Sequence, residues 1–216
     1  MSPNPPTLVP PPHTPITRTS PKHADLAAAL QVRFKVFVEE QHCSADGEID
    51  PDDPRSWHWV LYHGDSTTTT PTTQGPEEDP REKEKTPIAT VRLVPPPHAP
   101  HETLTHAGLP AYDVLHEPYV KITRVAVLPE YRGLGLGKYL MGVVLRWVGD
   151  RGNWGAIRGE WERVVSDGFR GFRGLVLVHA QMSVVGLYEG LGFEVDEGMG
   201  RWHEEGIEHV GMWKRV

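Results

Sequence analysis

The chain has 216 residues, enough to bury a sizeable core, so we expect one domain with tails and insertions. Its formal net charge of −7 excludes the basic surface with which nucleic-acid-binding proteins neutralise phosphates. No apolar run approaches the roughly 18 residues of a membrane span, and the single cysteine, Cys43, cannot form an internal disulfide. We therefore expect a cytoplasmic protein without a nucleic-acid or membrane partner.

The first 40 residues combine a low-complexity tail with an amphipathic segment. Residues 1–21 are rich in proline and nearly free of charge, which predicts a disordered or extended tail. From residue 22 onwards, Leu26, Leu30, Phe34 and Phe37 recur at helical spacing. This spacing predicts a helix with one apolar face.

Two strands follow, separated by a long insertion. Residues 57–62 (WHWVLY) and 87–94 (PIATVRLV) have the composition of strands, and the second is rich in β-branched residues. Polar and charged residues fill the insertion at about 64–86, which cannot contribute to a core. We predict a hairpin whose loop has lengthened.

A second insertion, residues 95–118, is rich in proline and histidine. Its histidines invite the hypothesis of a metal site. However, they form no i, i+4 helical pair, have no cysteine partner and lack an HExxH pattern. We therefore predict a solvated loop and no metal; the histidines are His98, His101, His106 and His116.

The strand predicted at 119–128 changes its hydrophobic parity. Val120 and Ile122 share one parity, whereas Val125 and Val127 take the other. Such a one-residue slip predicts a β-bulge near 123–124, which would bend the strand and free backbone groups for a ligand. The alternative is a strand buried on both faces, where parity carries little information.

Three alternate glycines, Gly133, Gly135 and Gly137, precede an apolar periodicity that predicts a helix over 135–148. Neither a Rossmann nor a Walker glycine pattern fits this spacing. The helix start has no Ser, Thr, Asp or Asn to cap it, and cations flank the glycines at Arg132 and Lys138. Uncovered amides at a helix N-terminus favour a bound phosphate; the alternative is a tight turn without a ligand.

The remainder of the chain predicts one loop, a short helix and three strands. Residues 149–174 form a third insertion, long and interrupted by glycine, with one helical turn near 161–165. We predict a buried strand at 175–180 and a helix at 182–191 that Gly192 ends as a left-handed cap. Two final strands are predicted at 193–198 and 209–216.

Several of these segments resemble the GNAT superfamily of N-acetyltransferases. RGLGLG at 132–137 matches the superfamily signature R/Q-x-x-G-x-G/A, and LYEGLGFEV at 187–195 is similar to its second signature. VRFKVFVEEQ at 32–41 and EIDPDDPRSWHWVLY at 48–62 resemble the ElaA-like, small-molecule branch. The resemblance implies one acetyltransferase domain over residues 22–216, outside which the tail and the insertions fall.

The resemblance implies an α/β fold: a central mixed sheet, splayed at the bulge and flanked by helices, with acetyl-CoA in the split. Backbone groups of Val125 and Val127 would hold the pantetheine arm and the acetyl carbonyl. The pyrophosphate would lie against Arg132, Gly133, Gly135, Gly137 and Lys138. No metal is implied, and pairing through the last strands would give a homodimer.

The implied activity is acetyl transfer to the primary amine of a small molecule, such as an amino sugar, a polyamine or an arylalkylamine. Two alternatives stay open: a protein N-terminal or lysine acetyltransferase, and an acyl-CoA-binding sensor without turnover. By the resemblance, Tyr188 is the proton donor. A glutamate that some histone-directed members use would fall on Lys121, so that assignment does not transfer.

Three residues remain as candidates for the general base. Glu40 ends the first helix, His58 opens the second strand, and His179 ends the strand before Tyr188. His179 is expected to face the region where the sheet splits, and an imidazole titrates close to neutral pH. Each of the three could equally be a hydrogen-bonded structural residue. Other acidic residues, Glu39, Asp50 and Asp52, either shape an acceptor pocket or face solvent.

Overall fold

The computed structural model describes residues 4–18, 23–63, 85–100 and 111–216. Within these ranges the strands are β1 Thr7–Val9, β2 Trp57–Tyr62, β3 Pro87–Val94, β4 Val120–Val127, β5 Leu175–Gln181, β6 Glu194–Val195, β7 Arg201–Glu204 and β8 Ile207–Arg215. The α-helices there are α1 Ala24–Arg33, α2 Leu136–Gly149, α3 Trp154–Val164 and α4 Val185–Glu189. The insertion predicted at 64–86 lies almost wholly outside the described residues, as do His101 and His106.

The described strands form one mixed sheet in the order β1–β2–β3–β4–β5–β8–β6, with β7 also paired to β8. Helices cover both faces. On one face, Trp59 and Leu61 share a core with Leu140 of α2, whereas Val60, of opposite parity, packs with Leu26 of α1. The predicted class, a mixed sheet flanked by helices, is confirmed. None of the helices in the described ranges is long and apolar enough to cross a membrane.

The predicted bulge in β4 is confirmed. In the β3–β4 ladder Thr90 lies opposite Ala126 and Arg92 lies opposite Thr123, so β4 contains one extra residue between these pairs. Arg124 takes a left-handed conformation there, with φ 52°. On its other side, β4 pairs with β5 only over Val120–Ile122. Beyond Ile122 the two strands separate, which opens the sheet into a V.

The first helix and α2 form where they were predicted, because both have a continuous apolar stripe. α1 passes into a π-helical segment, Phe34–Glu40, whose buried residues include Phe34 and Val36. α2 buries one face against the sheet. Gly192 ends the α4 region in a left-handed conformation with φ 80°, and Phe193 donates from its amide to the Tyr188 carbonyl at 3.0 Å.

Of the two alternatives predicted for residues 1–21, a disordered or an extended tail, the disordered one is wrong for Thr7–Val9. Thr7–Val9 pairs antiparallel with Val60–His58 of β2, and Val9 is buried. Three residues of strand-forming composition are enough here because the edge of β2 offers free backbone donors and acceptors. The described part of the tail therefore extends the sheet by one strand.

Residues 149–174 contain far more helix than the single turn that the glycines suggested. α3 runs for 11 residues through Gly155 and Gly159, burying Ile157 and Trp161. A side chain added at either glycine would meet no atom within 4 Å, so both lie away from packed neighbours. Tertiary burial of the apolar stripe therefore outweighs the low helix propensity of glycine.

One further prediction, for His98, requires correction, and one strand was not predicted. His98, expected in a solvated loop, is buried, and its Nε2 lies 2.9 Å from the Tyr119 carbonyl oxygen. Burial lowers the pKa of its imidazole well below the usual value. The strand β7 was not predicted, because its four residues, RWHE, contain one apolar side chain, Trp202.

Candidate active site

A cleft of about 930 Å³ occupies the split between β4 and β5. Its walls come from β4 from Ile122 onwards, the end of β5, the loop into α2, α4, the π-helical segment and the β7–β8 turn. We call the part lined by residues 40, 125–127, 131–133, 135–138, 184, 187 and 188 the glycine-loop end. The part lined by residues 41, 43, 44, 47, 48, 124, 179, 181, 204, 205, 207 and 209 is the hairpin end.

Three glycines line the glycine-loop end. Gly133 and Gly135 have left-handed φ values of 77° and 75°. Gly135 is the N-cap of α2, and no side chain caps that helix. A Cβ at either glycine would meet no atom within 4 Å, so the space beside this backbone is open to the cleft. Gly137 and Lys138 also line the cleft.

The strand β4 lines the cleft with Val125 and Val127. Because the β4–β5 ladder ends at Ile122, these residues border the split instead of a neighbouring strand. Both side chains pack against the core that contains α2. The structure therefore places the backbone that was predicted to hold a pantetheine arm beside the cleft.

Arg132 lies in the cleft wall but is held by the protein. Its Nη1 and Nη2 donate to the two carboxylate oxygens of Glu40 at 2.6 Å each, and its Nε donates to the Val127 carbonyl at 3.0 Å. The pair joins the end of the π-helical segment to the glycine loop. Hydrogen bonds from Arg132 lower the pKa of Glu40, which makes Glu40 a weaker base than an ordinary glutamate.

Tyr188 projects from α4 into the cleft wall and is 5% exposed. Its ring meets the edge of Phe193 with centroids 5.8 Å apart. Burial raises the pKa of its phenol to about 12, so the hydroxyl keeps its proton at neutral pH. This position is compatible with the proton donor that the resemblance implies and equally with a tyrosine that only packs.

His179 lies on β5 immediately after Val178, where pairing with β4 has ended, and it lines the hairpin end. Its Nδ1 is 2.9 Å from Oε1 of Glu204, which also accepts a hydrogen bond from Trp202 Nε1 at 2.7 Å. The indole meets the imidazole edge to face, with centroids 4.9 Å apart. Although burial alone would raise it, the pKa of Glu204 is lowered to about 2 by His179 and Trp202.

The third candidate base, His58, is not part of the cleft. It is fully buried on β2, and its Nε2 lies 3.4 Å from the Asp53 carbonyl oxygen. Burial lowers its pKa to about 3, so the imidazole is neutral under ordinary conditions. His58 is a core residue and cannot reach a substrate in the cleft. Successive side chains of β2 point to opposite faces of the sheet, and the sequence alone could not show which face His58 takes.

Six charged side chains form a buried network behind the hairpin end. Asp53 accepts from Arg33 at 2.6 Å and pairs with Arg92 at 2.8 Å. Arg92 also makes two hydrogen bonds to Asp50, at 2.7 and 2.8 Å. Arg33 and Arg124 both contact Glu48. The network contains three cations and three anions: Arg33, Arg92, Arg124, Glu48, Asp50 and Asp53.

Sequence reasoning missed this network. Asp50 was expected to shape an acceptor pocket or to face solvent, but its carboxylate is engaged by Arg92. Burial alone would raise the pKa of Asp53, yet Arg92 and Arg33 lower it well below its usual value. The one available signal was Arg33, a cation at a position of α1 that helical spacing assigns to the buried side.

Two hydrogen bonds close the hairpin end. The amide of Ser44 donates to Oε2 of Glu205 at 3.0 Å, which joins the loop after the π-helical segment to the β7–β8 turn. Gln181 Nε2 donates to Gln41 Oε1 at 3.0 Å. Glu204 and Glu205 were not singled out from the sequence, because Glu204 ends and Glu205 follows β7, a strand that was not predicted.

The family model described as "Acetyltransferase (GNAT) family" matches residues 37–167, which include the glycine loop. The chain is 25% identical to the Bacillus subtilis protein YyaT over 196 residues, which cover 89% of this chain and 90% of that protein. An acyl-CoA N-acyltransferase structure from Pseudomonas aeruginosa is 23% identical with a TM-score of 0.55, covering 98% of this chain and 99% of that one. The structure of Escherichia coli ElaA is 21% identical with a TM-score of 0.54, covering 97% of this chain and 99% of that one. Both structures have this fold.

Proposed function

This chain belongs to the GNAT family of acetyltransferases, and from that premise we propose that it transfers an acetyl group from acetyl-CoA to the primary amine of a small molecule. One observation carries the proposal. A single cleft joins an open, glycine-lined helix N-terminus with Tyr188 beside it to a hairpin end that contains His179 and carboxylates. The first part suits a pyrophosphate and the second suits an amine.

The residues at the glycine-loop end fit CoA. The N-terminus of α2 has no side-chain cap, the space beside Gly133 and Gly135 is open, and Lys138 adds positive charge. Gly137 allows a close approach to the backbone, and the backbone of Val125 and Val127 would hold the pantetheine arm. Arg132 would contribute through its charge while Glu40 and Val127 fix its position. When bound, acetyl-CoA supplies the acetyl group as a thioester.

We assign proton removal to His179. An alkylammonium with a pKa near 10.4 must lose a proton before it attacks, which costs about 4–5 kcal/mol at neutral pH. His179 lies at the hairpin end, and Glu204 at its Nδ1 stabilises the imidazolium that forms. Glu40 is a weaker candidate, because its carboxylate is engaged by Arg132.

Tyr188 faces the leaving sulfur in this proposal. Complete proton transfer from a phenol of pKa about 12 to a thiolate whose acid has a pKa near 8.5 would cost about 5 kcal/mol. We therefore infer that Tyr188 acts mainly by donating a hydrogen bond to the developing thiolate. Its burial supports this role, because a preorganised donor is most effective where water is excluded.

The hairpin end favours a small acceptor over a peptide. The Ser44–Glu205 and Gln41–Gln181 hydrogen bonds cross it, whereas a bound peptide needs an open groove. Within the described residues, its lining includes three carboxylates, Glu48, Glu204 and Glu205, which suit a cationic amine. We also propose that residues 22–216 act as one catalytic domain, to which β1 of the tail adds an edge strand.

A thiol-release assay tests the proposal. The purified chain is incubated with acetyl-CoA and a panel of amino sugars, polyamines, arylalkylamines and peptides, and free CoA is followed with a thiol reagent. Turnover with small amines alone supports the proposal. Turnover with peptides alone would indicate a protein acetyltransferase, and tight CoA binding without any turnover would indicate a sensor.

A further inference from the structure

The two ends of the cleft differ in charge. At the glycine-loop end, Arg132 and Glu40 neutralise each other and Lys138 leaves one positive charge among the described residues. At the hairpin end, the described lining has three carboxylates against one guanidinium, that of Arg124. With neutral histidines, the hairpin end therefore has two negative charges in excess.

The buried network does not change this balance. Glu48 and Arg124 belong to the group of three cations and three anions, which is neutral as a whole. The excess therefore resides on Glu204 and Glu205. The Glu204 carboxylate is hydrogen-bonded to His179 and Trp202, so we assign it to positioning the imidazole.

The carboxylate of Glu205 can accept further hydrogen bonds. Its Oε2 accepts one hydrogen bond, from the Ser44 amide. In the part of the chain that the structure describes, no Lys, Arg or His nitrogen lies within 4 Å of its carboxylate. An ionised carboxylate has about four acceptor positions. The Ser44 contact holds this carboxylate at the cleft wall and leaves room for a second donor.

We propose that Glu205 is a specificity-determining residue that selects acceptors with two cationic groups, of the diamine class. One amine loses its proton and reacts near His179, while the second stays charged and donates to Glu205. The inference rests on the proposed function and narrows it, since a monoamine leaves the charge at Glu205 unmatched and an amino acid adds a repelled carboxylate.

The test compares cadaverine, pentylamine and δ-aminovalerate, which share a five-carbon chain but end in an ammonium, a methyl and a carboxylate. For the unmodified enzyme kcat/KM should be highest for cadaverine and lowest for δ-aminovalerate. In Glu205→Gln the amide oxygen still accepts from Ser44, but the charge is lost. We expect kcat/KM for cadaverine to fall about tenfold, as for loss of one charge-assisted hydrogen bond, and that for pentylamine to stay unchanged.

Glu208→Gln is the matched control, because Glu208 lies on β8, pairs with Arg201 at 3.7 Å and does not line the cleft. It should leave all three acceptors unaffected. Equal kcat/KM for cadaverine and pentylamine, or an unchanged preference in Glu205→Gln, overturns the inference while the acetyltransferase proposal stands. If no amine is turned over, neither these three nor those in the thiol-release assay, the inference about Glu205 and the acetyltransferase proposal are both overturned.

Discussion

Replacing Gly135 with alanine should weaken CoA binding in a protein that still folds. The residue has φ 75° and ψ 10° at the N-cap of α2. A left-handed conformation costs an L-residue about 1–2 kcal/mol. Because the new Cβ would meet no atom within 4 Å, no steric clash adds to this cost. For a chain of this length the melting temperature should fall by about 2–8 °C.

The same Cβ enters the space where a pyrophosphate would approach the loop amides. We expect the dissociation constant for CoA to rise at least about tenfold, since backbone contacts to an anion need a close approach that only glycine allows. Isothermal titration calorimetry measures the affinity and differential scanning fluorimetry the stability. Gly155→Ala in α3 is the control; it also has open space at its Cβ, and should stabilise the fold by about 0.5–1 kcal/mol without affecting CoA. A folded Gly135→Ala protein with unchanged CoA affinity would refute the phosphate role of the loop.

Three further predictions concern catalysis and stability. Tyr188→Phe should lower kcat about a hundredfold with an unchanged dissociation constant for CoA; equal loss of both, by kinetics and calorimetry, would mean that Tyr188 only packs. Asp53→Asn should lower the free energy of unfolding by about 3–5 kcal/mol, because two buried guanidiniums, those of Arg33 and Arg92, each lose one of their carboxylate partners; urea titration checks this against the exposed Asp46→Asn, and equal small effects would contradict it. From about pH 7.5 to pH 5 the unfolded chain protonates His58, with a pKa near 6.5, while the folded chain does not, which costs about 2 kcal/mol of stability. Over the same pH interval, urea titrations should show that the free energy of unfolding of His58→Gln falls by about 2 kcal/mol less than that of the unmodified chain. Identical losses in the two proteins would show that His58 titrates normally in the fold.

The features that the sequence predicted best depend on local chemistry. The parity slip between Ile122 and Val125 predicts the bulge. Successive side chains of a strand point to opposite faces, so a change in the parity of the apolar residues indicates one extra residue. The residues at 133–137 likewise predict the uncapped start of α2, whose phosphate-binding role stays a prediction. Both follow from a few consecutive residues and need no knowledge of what packs against them.

The features that escaped prediction depend on distant partners. Thr7–Val9 becomes a strand because β2 has a free edge, and α3 tolerates two glycines because Trp161 and its neighbours are buried. Glu204 acquires its role from His179, 25 positions away. No periodicity within one segment reports such pairings, so sequence reasoning could name His179 as a candidate base but not its carboxylate.

The buried network connects the fold to the chemistry through Arg124. This non-glycine residue holds a left-handed conformation at the bulge, which costs about 1–2 kcal/mol. Its guanidinium contacts Glu48, Asp50 and the Gly47 carbonyl, so the bulge is anchored to the loop that borders the hairpin end. The bulge in turn is where β4 leaves β5 and the cleft begins. The charges that anchor the bulge are therefore the same charges that fix the loop at the hairpin end, and a change in Glu48 or Arg124 should alter the splay of the sheet and the hairpin end together.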